Sequence, residues 1–120
     1  AQARWWAEVL GWTVHTDPDE PGFAAIEPPD ASVGAVTVLF AQVPEPKTVK
    51  NRVHLDVRPA DGTTQEAELA RLLGLGATTV DVGQGDVPWH VLADPEGNEF
   101  CLLRRTPSEV AELPASTALS

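Results

Sequence analysis

The feature of this sequence that most restricts its fold is an approximate internal repeat. A Leu-Gly pair ends at Gly11 and again at Gly74, 63 residues further on. A Pro-acid pair begins at Pro29 and again at Pro95, 66 residues further on. In both copies the Leu-Gly pair closes a helix-type pattern, and three short strand-type patterns follow. A repeat of about sixty residues is too long for a solenoid unit, so it indicates a duplicated pair of modules with an α+β fold.

The first module, residues 1–43, is predicted to contain one helix and three strands. Apolar residues at the i, i+3, i+4 spacing predict a helix over residues 2–10. Stretches rich in β-branched and aromatic residues predict strands over residues 12–16, 23–27 and 36–43. The adjacent Trp5 and Trp6 cannot face the same side of that helix. We therefore expect one in the core and the other at the surface or at an interface.

The second module, residues 51–105, follows a proline-bearing connector over residues 44–50. Its patterns predict a helix over residues 64–75 and strands over residues 51–58, 78–82, 89–93 and 99–103. The strand ahead of the helix has no counterpart in the first module, which therefore lacks its opening strand. We expect one domain over residues 1–105 and, because periodicity ends there, a surface extension over residues 106–120.

Composition excludes several classes of function. Hydrophobic residues make up 42% of the chain and charged residues 22%, as in globular domains. The formal net charge of −10 argues against binding to nucleic acid or to an anionic membrane surface. The single cysteine excludes an intramolecular disulfide, and no apolar run is long enough to cross a membrane. No signal-peptide pattern precedes the first helix, so we expect a cytoplasmic protein; whether Ala1 is the natural start is left open.

Four segments together resemble a known family. They read Trp-Ala-Glu-Val-Leu-Gly-Trp at residues 6–12, Val-Pro-Glu-Pro-Lys-Thr-Val-Lys-Asn-Arg-Val-His-Leu-Asp at 43–56, Leu-Gly-Leu-Gly-Ala at 73–77 and Asp-Pro-Glu-Gly-Asn-Glu-Phe-Cys at 94–101. In these segments the chain resembles the glyoxalase-like branch of the vicinal oxygen chelate superfamily, which includes glyoxalase I, extradiol dioxygenases, fosfomycin-resistance enzymes and bleomycin-binding proteins. The resemblance implies two βαβββ modules that form a curved mixed sheet around a cavity.

The resemblance also implies a small-molecule ligand and leaves two functions open. Enzymes of the superfamily usually bind a divalent metal through the first and last strands of each module, and the metal polarises oxygens of the substrate. The chain would then be a metal-dependent lyase or dioxygenase acting on a small oxygenated metabolite. The alternative is a metal-free protein that binds and sequesters its ligand, as bleomycin-resistance relatives do.

Two residues are the candidates for catalysis. By the resemblance, His54 lies where the family has a ligand histidine, so it is a metal ligand or a general base; the alternative is a strand histidine that hydrogen-bonds to polar neighbours. Glu99 is a candidate for proton transfer, or else a solvated acid at a strand end.

Cys101 occupies the position where the family commonly has a glutamate ligand. A thiolate can bind borderline metals, but a buried cysteine is more often a small apolar residue.

The remaining candidates are predicted to line the cavity: Phe40, Gln42, Trp89 and Cys101 are assigned to substrate binding, with core packing as the alternative for the aromatic pair. Because the ligand set is incomplete, we expect a divalent metal to be absent or weakly bound. Lys47, Lys50 and Arg52 form a basic cluster, for which ordinary ion pairs are the simplest explanation. The missing strand would leave an unpaired sheet edge, so we expect a homodimer.

Overall fold

The computed structural model describes residues 1–30 and 36–114. The chain divides into two compact units, Ala1–Pro46 and Lys47–Ser120. Among the described residues, no helix is long and apolar enough to cross a lipid bilayer. Each unit has its own sheet, three strands in the first and four in the second, and is described separately. The predicted domain limits at residues 105 and 106 stay predictions.

The first unit contains one helix and an antiparallel three-stranded sheet. Its elements are α1 (Gln2–Leu10), β1 (Thr13–His15), β2 (Phe23–Glu27) and β3 (Val38–Ala41), with β2 in the middle of the sheet. Helix α1 has the predicted bounds because Gly11 follows it in the left-handed conformation, with φ of 69°. Trp6 is buried, whereas Trp5 is half-buried and meets it edge-to-face, with ring centroids 5.1 Å apart. The expectation that one tryptophan lies in the core is confirmed for Trp6, and a surface or interface role for Trp5 stays a prediction.

The second unit is a complete βαβββ module. It contains β4 (Leu55–Val57), α2 (Gln65–Gly74), β5 (Thr78–Thr79), β6 (His90–Ala93), β7 (Glu99–Leu102) and a further short helix α3 (Pro107–Ala111). The strand order is β4-β7-β6-β5, and β4 pairs with β7 in parallel, whereas the other pairs are antiparallel. In its described residues, 1–30 and 36–46, the first unit matches this order from its helix onward and shows no strand equivalent to β4. The α+β fold and the incomplete first module are thus as predicted.

Three strands are shorter than predicted by three residues or more. The strand predicted over residues 51–58 is confined to β4, because the Asn51 N–H donates to a side-chain carboxylate and Pro59 has no N–H. The strand predicted over residues 78–82 is confined to β5, since side-chain oxygens of Asp81 and Gln84 take backbone N–H groups that a strand would use. Similarly, β3 is shorter than the predicted stretch 36–43.

The surface extension predicted from residue 106 onward begins with a short helix, which the sequence analysis did not predict. Helix α3 starts with a capping box in which the Thr106 side chain accepts the Glu109 N–H, and the Glu109 carboxylate accepts the Thr106 N–H. Pro107 occupies the first turn, where its missing N–H costs nothing. Ser108 also donates its N–H to Asp61, 2.9 Å away. Residues 115–120 of the extension lie outside the described residues.

Adjacent leucines of α2 provide a test of the core in the second unit. Leu72 is completely buried, whereas Leu73 is 40% exposed. Replacing Leu72 with Ala should lower the free energy of unfolding by about 2–5 kcal/mol, because it removes buried methyl groups and leaves a cavity. Leu73→Ala, which changes the intrinsic helix propensity by the same small amount, should lower it by less than about 1 kcal/mol. Chemical denaturation of both variants measures the difference, and equal losses would contradict the assignment of Leu72 to the core.

Candidate functional site

The sheet of the second unit has two different faces. Side chains alternate along a strand, and the register pairs Cys101 with both Asp56 and Val91. These three residues therefore share one face, which we call the thiol face, and Phe100 and Leu102 point to the other. Both of these last residues are almost completely buried. The thiol face carries two titratable groups, Cys101 and Asp56, next to apolar residues.

An apolar cluster forms the floor of the thiol face. Val91, Cys101 and Leu103 are buried together. Three partly buried residues pack against them, namely Val80, Val82 and Trp89. Trp89 and Cys101, both predicted to line a binding site, are thus brought together by the structure on one face. The aromatic ring and the thiol here contribute to packing as well as to any ligand contact.

The Cys101 thiol is held in its protonated form. Burial raises the pKa of this thiol, and the nearby Asp56 carboxylate raises it further through its negative charge and by accepting a hydrogen bond from the thiol. A protonated thiol is a weak hydrogen-bond donor and neither a nucleophile nor a good metal ligand. The sequence analysis missed the contact between Cys101 and Asp56. The available signal was the alternation of the predicted strand, which places Asp56 on the same face as the candidate His54.

His54 lies immediately before β4 and is half-buried. Its Nε2 atom is buried and has no hydrogen-bond partner among the described residues. Buried polar atoms are nearly always paired with protein or water, so an unpaired ring nitrogen needs an explanation, such as a ligand that supplies the missing bond. The alternative of a histidine satisfied by polar neighbours does not hold for this nitrogen. Its predicted roles as metal ligand and general base stay predictions.

Glu99 binds the connector that precedes β4. Its Oε1 atom accepts a hydrogen bond from Lys47 Nζ at 3.1 Å, and its Oε2 atom accepts the Asn51 N–H at 3.0 Å. The Glu99 side chain is only 10% exposed. Both carboxylate oxygens are therefore occupied, and one residue of the basic cluster is engaged in an ion pair. This arrangement favours a structural role, while the predicted role in proton transfer stays a prediction.

The same contacts keep Glu99 ionised. The hydrogen bond from the Asn51 N–H, helped by the charge and hydrogen bond of Lys47, lowers the pKa of Glu99 to about 2. At neutral pH the group holds no proton to donate, and as a carboxylate it is a very weak base. At neutral pH Glu99 therefore acts through its negative charge and through the hydrogen bonds that hold Lys47 and Asn51 in place.

The residues present do not fit a metal site. Within residues 1–30 and 36–114, no three side chains of the types His, Cys, Asp and Glu lie close enough together to hold an ion. Cys101 keeps its proton, and Glu99 uses both oxygens on the connector. On this side of β4, His54 and Asp56 are left as possible donors, which is fewer than the three that coordination of a metal by protein side chains needs. We therefore derive no chemical step through a metal.

Two residues of the first unit, Phe40 and Gln42, were predicted to line the cavity, and they differ in their surroundings. Phe40 pairs with Ala24, and the register places it on the same sheet face as Ile26, which is completely buried. Phe40 is therefore assigned to the covered face, which favours its packing role. Gln42 follows β3, is exposed, and donates its N–H to the Gly22 carbonyl at 2.7 Å. The predicted roles of Phe40 and Gln42 in substrate binding stay predictions.

The opposite face of that sheet was missed by the sequence analysis. Phe23 and Leu39 lie on it, 49% and 64% exposed. His15 and Glu27 form an ion pair on the same face, with Nε2 and Oε1 2.7 Å apart. The alternation of residues in β2 and β3 separates the two faces in the sequence, but it does not tell which one α1 covers.

The pKa of Glu99 predicts a pH-dependent contribution to stability. Because the folded-state pKa lies near 2 and the ordinary value is 4.5, the contribution is present above about pH 4.5 and is lost as the pH falls towards 2. Glu99→Gln should therefore flatten the fall in the free energy of unfolding between these two pH values. Urea denaturation over this range measures the effect in both proteins. Parallel pH profiles for the two would contradict the assignment.

Comparisons with known proteins agree with this fold. The family model of the glyoxalase-like domain matches residues 1–103. The hypothetical protein SA1046 from S. aureus is 18% identical, with 87% of this chain and 86% of that chain covered and a TM-score of 0.54. The trypanothione-dependent glyoxalase I of Leishmania major is 11% identical, with 92% and 80% covered and a TM-score of 0.54.

At these identities the two structures show a shared fold and nothing finer. No curated protein sequence matches the chain significantly. The family model, however, spans all the elements from α1 to β7. The chain therefore belongs to the glyoxalase-like domain family, within the vicinal oxygen chelate superfamily.

Proposed function

We propose that the second unit binds a small organic molecule without a metal, at the border of the thiol face where His54 and Asp56 lie. The observation that carries this proposal is the buried Nε2 atom of His54, which has no partner among the described residues. A ligand hydroxyl, carbonyl or amine would satisfy that nitrogen, which can donate or accept according to its tautomer. Asp56 is exposed and offers a second acceptor beside the apolar floor.

These features favour a ligand with an apolar body and at least one polar group. The apolar floor would contribute through burial of surface, and the polar groups would fix the orientation. Metal-free binding, as in relatives of the bleomycin-resistance type, fits the donor set better than metal-dependent chemistry does. The second candidate, a metal-dependent lyase or dioxygenase, is favoured by the position of His54 at the first strand of this module. A cytoplasmic location stays a prediction.

A ligand screen by thermal shift tests the proposed site. Small oxygenated and aromatic metabolites that bind the folded protein should raise its melting temperature in a concentration-dependent way. His54→Ala should lower affinity for such a ligand about tenfold or more, because it removes the hydrogen bond between the ligand and the buried Nε2 atom. His90→Ala is the matched control, since His90 lies in β6 on the opposite face. Equal affinity of wild type and His54→Ala would contradict the site.

Metal titration separates the two candidate functions. After chelator treatment, the protein is expected to bind Zn²⁺, Mn²⁺ or Ni²⁺ far below one equivalent, because His54 lacks partner ligands in the described residues. Elemental analysis after dialysis measures the bound metal. Binding of one equivalent that disappears in His54→Ala would overturn the metal-free proposal and support the enzyme.

We further propose that the chain forms a homodimer through the first unit. Within the described part of that unit, β3 is the last strand of its sheet and nothing pairs with its outer edge, where the second unit has β4 beside β7. Unpaired edges tend to associate, and Leu39 in β3 adds exposed apolar surface. Light scattering after size exclusion should give a dimer mass at about 100 μM protein, and Leu39→Lys should shift it towards the monomer. A monomer mass for the wild type would contradict the proposal.

A further inference from the structure

Glu99 is placed to control where His54 lies. We infer that Glu99 is a positioning residue, whose carboxylate latches the connector to the β6–β7 turn and thereby fixes the segment that carries His54. The role of His54 in ligand binding rests on the proposed function, but the latch itself does not. The latch comprises Glu99, Lys47, Asn51 and Asn98.

The turn between β6 and β7 is a rigid base for the latch. The buried carboxylate of Asp94 accepts the N–H groups of Glu96 and Asn98, at 3.0 and 2.9 Å, and the side-chain amide of Asn98 at 3.3 Å. The Gly97 N–H donates to the Asp94 carbonyl at 2.9 Å, and Gly97 has a positive φ of 86° that only glycine adopts easily. One buried side chain thus holds the whole turn, and Glu99 leaves it in a defined direction.

The connector is attached to this turn at two points. Lys47 Nζ reaches one oxygen of Glu99, and the Asn51 N–H reaches the other. The Asn51 side chain also donates to Asn98 Oδ1 at 3.5 Å, and the stem of Lys47 lies across Gly97, where an added Cβ would be 3.7 Å from Lys47 Cγ. Glu99 takes part in both attachments, so its carboxylate is the central element of the latch.

The position of His54 follows from two anchors on adjacent residues of β7. Asn51 is anchored to Glu99 through the latch, and Leu55 is anchored to Phe100 through the parallel strand pairing. Residues 52–54 therefore form a short loop that leaves β7 and returns to it one residue later. The four steps from Asn51 to Leu55 reach at most about 14 Å when fully extended, so fixing both ends confines His54 to a small region. Releasing the Asn51 end would leave only the β4 anchor.

The latch also accounts for the unusual features of Glu99. An acid that is almost buried and keeps its charge needs compensating donors, and both of its oxygens have one. A proton-transfer group would instead need a free oxygen and a pKa near the working pH. The positioning role uses the ionised form continuously and involves no proton exchange.

The test compares variants of the latch by NMR in the absence of any ligand. Glu99→Ala removes both attachments, Glu99→Gln keeps an acceptor for Asn51 but loses the charge, and Lys47→Met removes only the ion pair. Glu96→Gln is the matched control, because Glu96 is an exposed acid of the same turn whose side chain is not part of the latch. The readouts are the hydrogen exchange rate of the Asn51 amide and the ¹⁵N shifts of the His54 ring.

Glu99→Ala should speed Asn51 exchange about tenfold or more and shift the His54 signals, while exchange of the core amides of α2 stays slow. Glu99→Gln and Lys47→Met should give smaller changes of the same kind, and Glu96→Gln none. Unchanged Asn51 exchange in Glu99→Ala would overturn the latch, and faster exchange with unmoved His54 signals would overturn the positioning role. If Glu99→Ala does not fold, the same criteria apply to Lys47→Met. Because no ligand is used, failure here is distinct from failure of the His54 binding experiment.

Discussion

Strand β7 pairs with a neighbour on both of its edges, β4 in parallel on one side and β6 antiparallel on the other. Its side chains alternate between two environments, so Phe100 and Leu102 fill one face while Cys101 belongs to the other. Glu99, at its beginning, holds the connector. A shift of one residue in this register would exchange the two faces and move the latch away from Asn51. The core, the thiol face and the placement of His54 therefore all depend on the same strand pairing.

The chain keeps the architecture of its family, and in the part that the structure describes no three ligating side chains gather into a metal-binding group. In the position where relatives commonly have a glutamate, Cys101 shares a hydrogen bond with Asp56 and keeps its proton. The neighbouring acid Glu99 is engaged with Lys47 and Asn51. Both side chains are therefore engaged within the protein, which is compatible with the proposed site that recognises its ligand through hydrogen bonds and apolar contact. A shared fold thus supports the family but not the activity of any one member.

The two units show how a duplicated module can diverge in its edges. In the second unit β4 covers the edge of β7, and the connector is latched beside it. In the described part of the first unit β3 has no such neighbour, and Leu39 is exposed next to it. The same strand order therefore leaves a paired edge in one unit and, among the described residues, an unpaired edge in the other.

Local patterns in the sequence determined the helices and the repeat. Helix α1 was predicted with its observed bounds, and α2 within one residue at each end, because apolar periodicity, the Thr64 cap and glycine stops act over a few residues. The capped helix after Thr106 was missed, although its signature of Thr106, Pro107 and Glu109 is equally local. Strand ends were less predictable, because side-chain acceptors can take backbone N–H groups away from a sheet.

Contacts between distant residues were decided only by the tertiary structure. Alternation in the sequence puts Phe40 and Leu39 on opposite faces of β3. Which of the two faces is buried depends on the packing of α1. The sequence also shows that the connector carries acidic and basic residues. Lys47 forms its ion pair with Glu99, 52 residues further along the chain, because β7 lies beside the connector in the folded protein. The sequence determined which chemical groups the site contains. The pairing of strands decided which of them lie together, since that depends on burial of the whole sheet rather than on any local pattern.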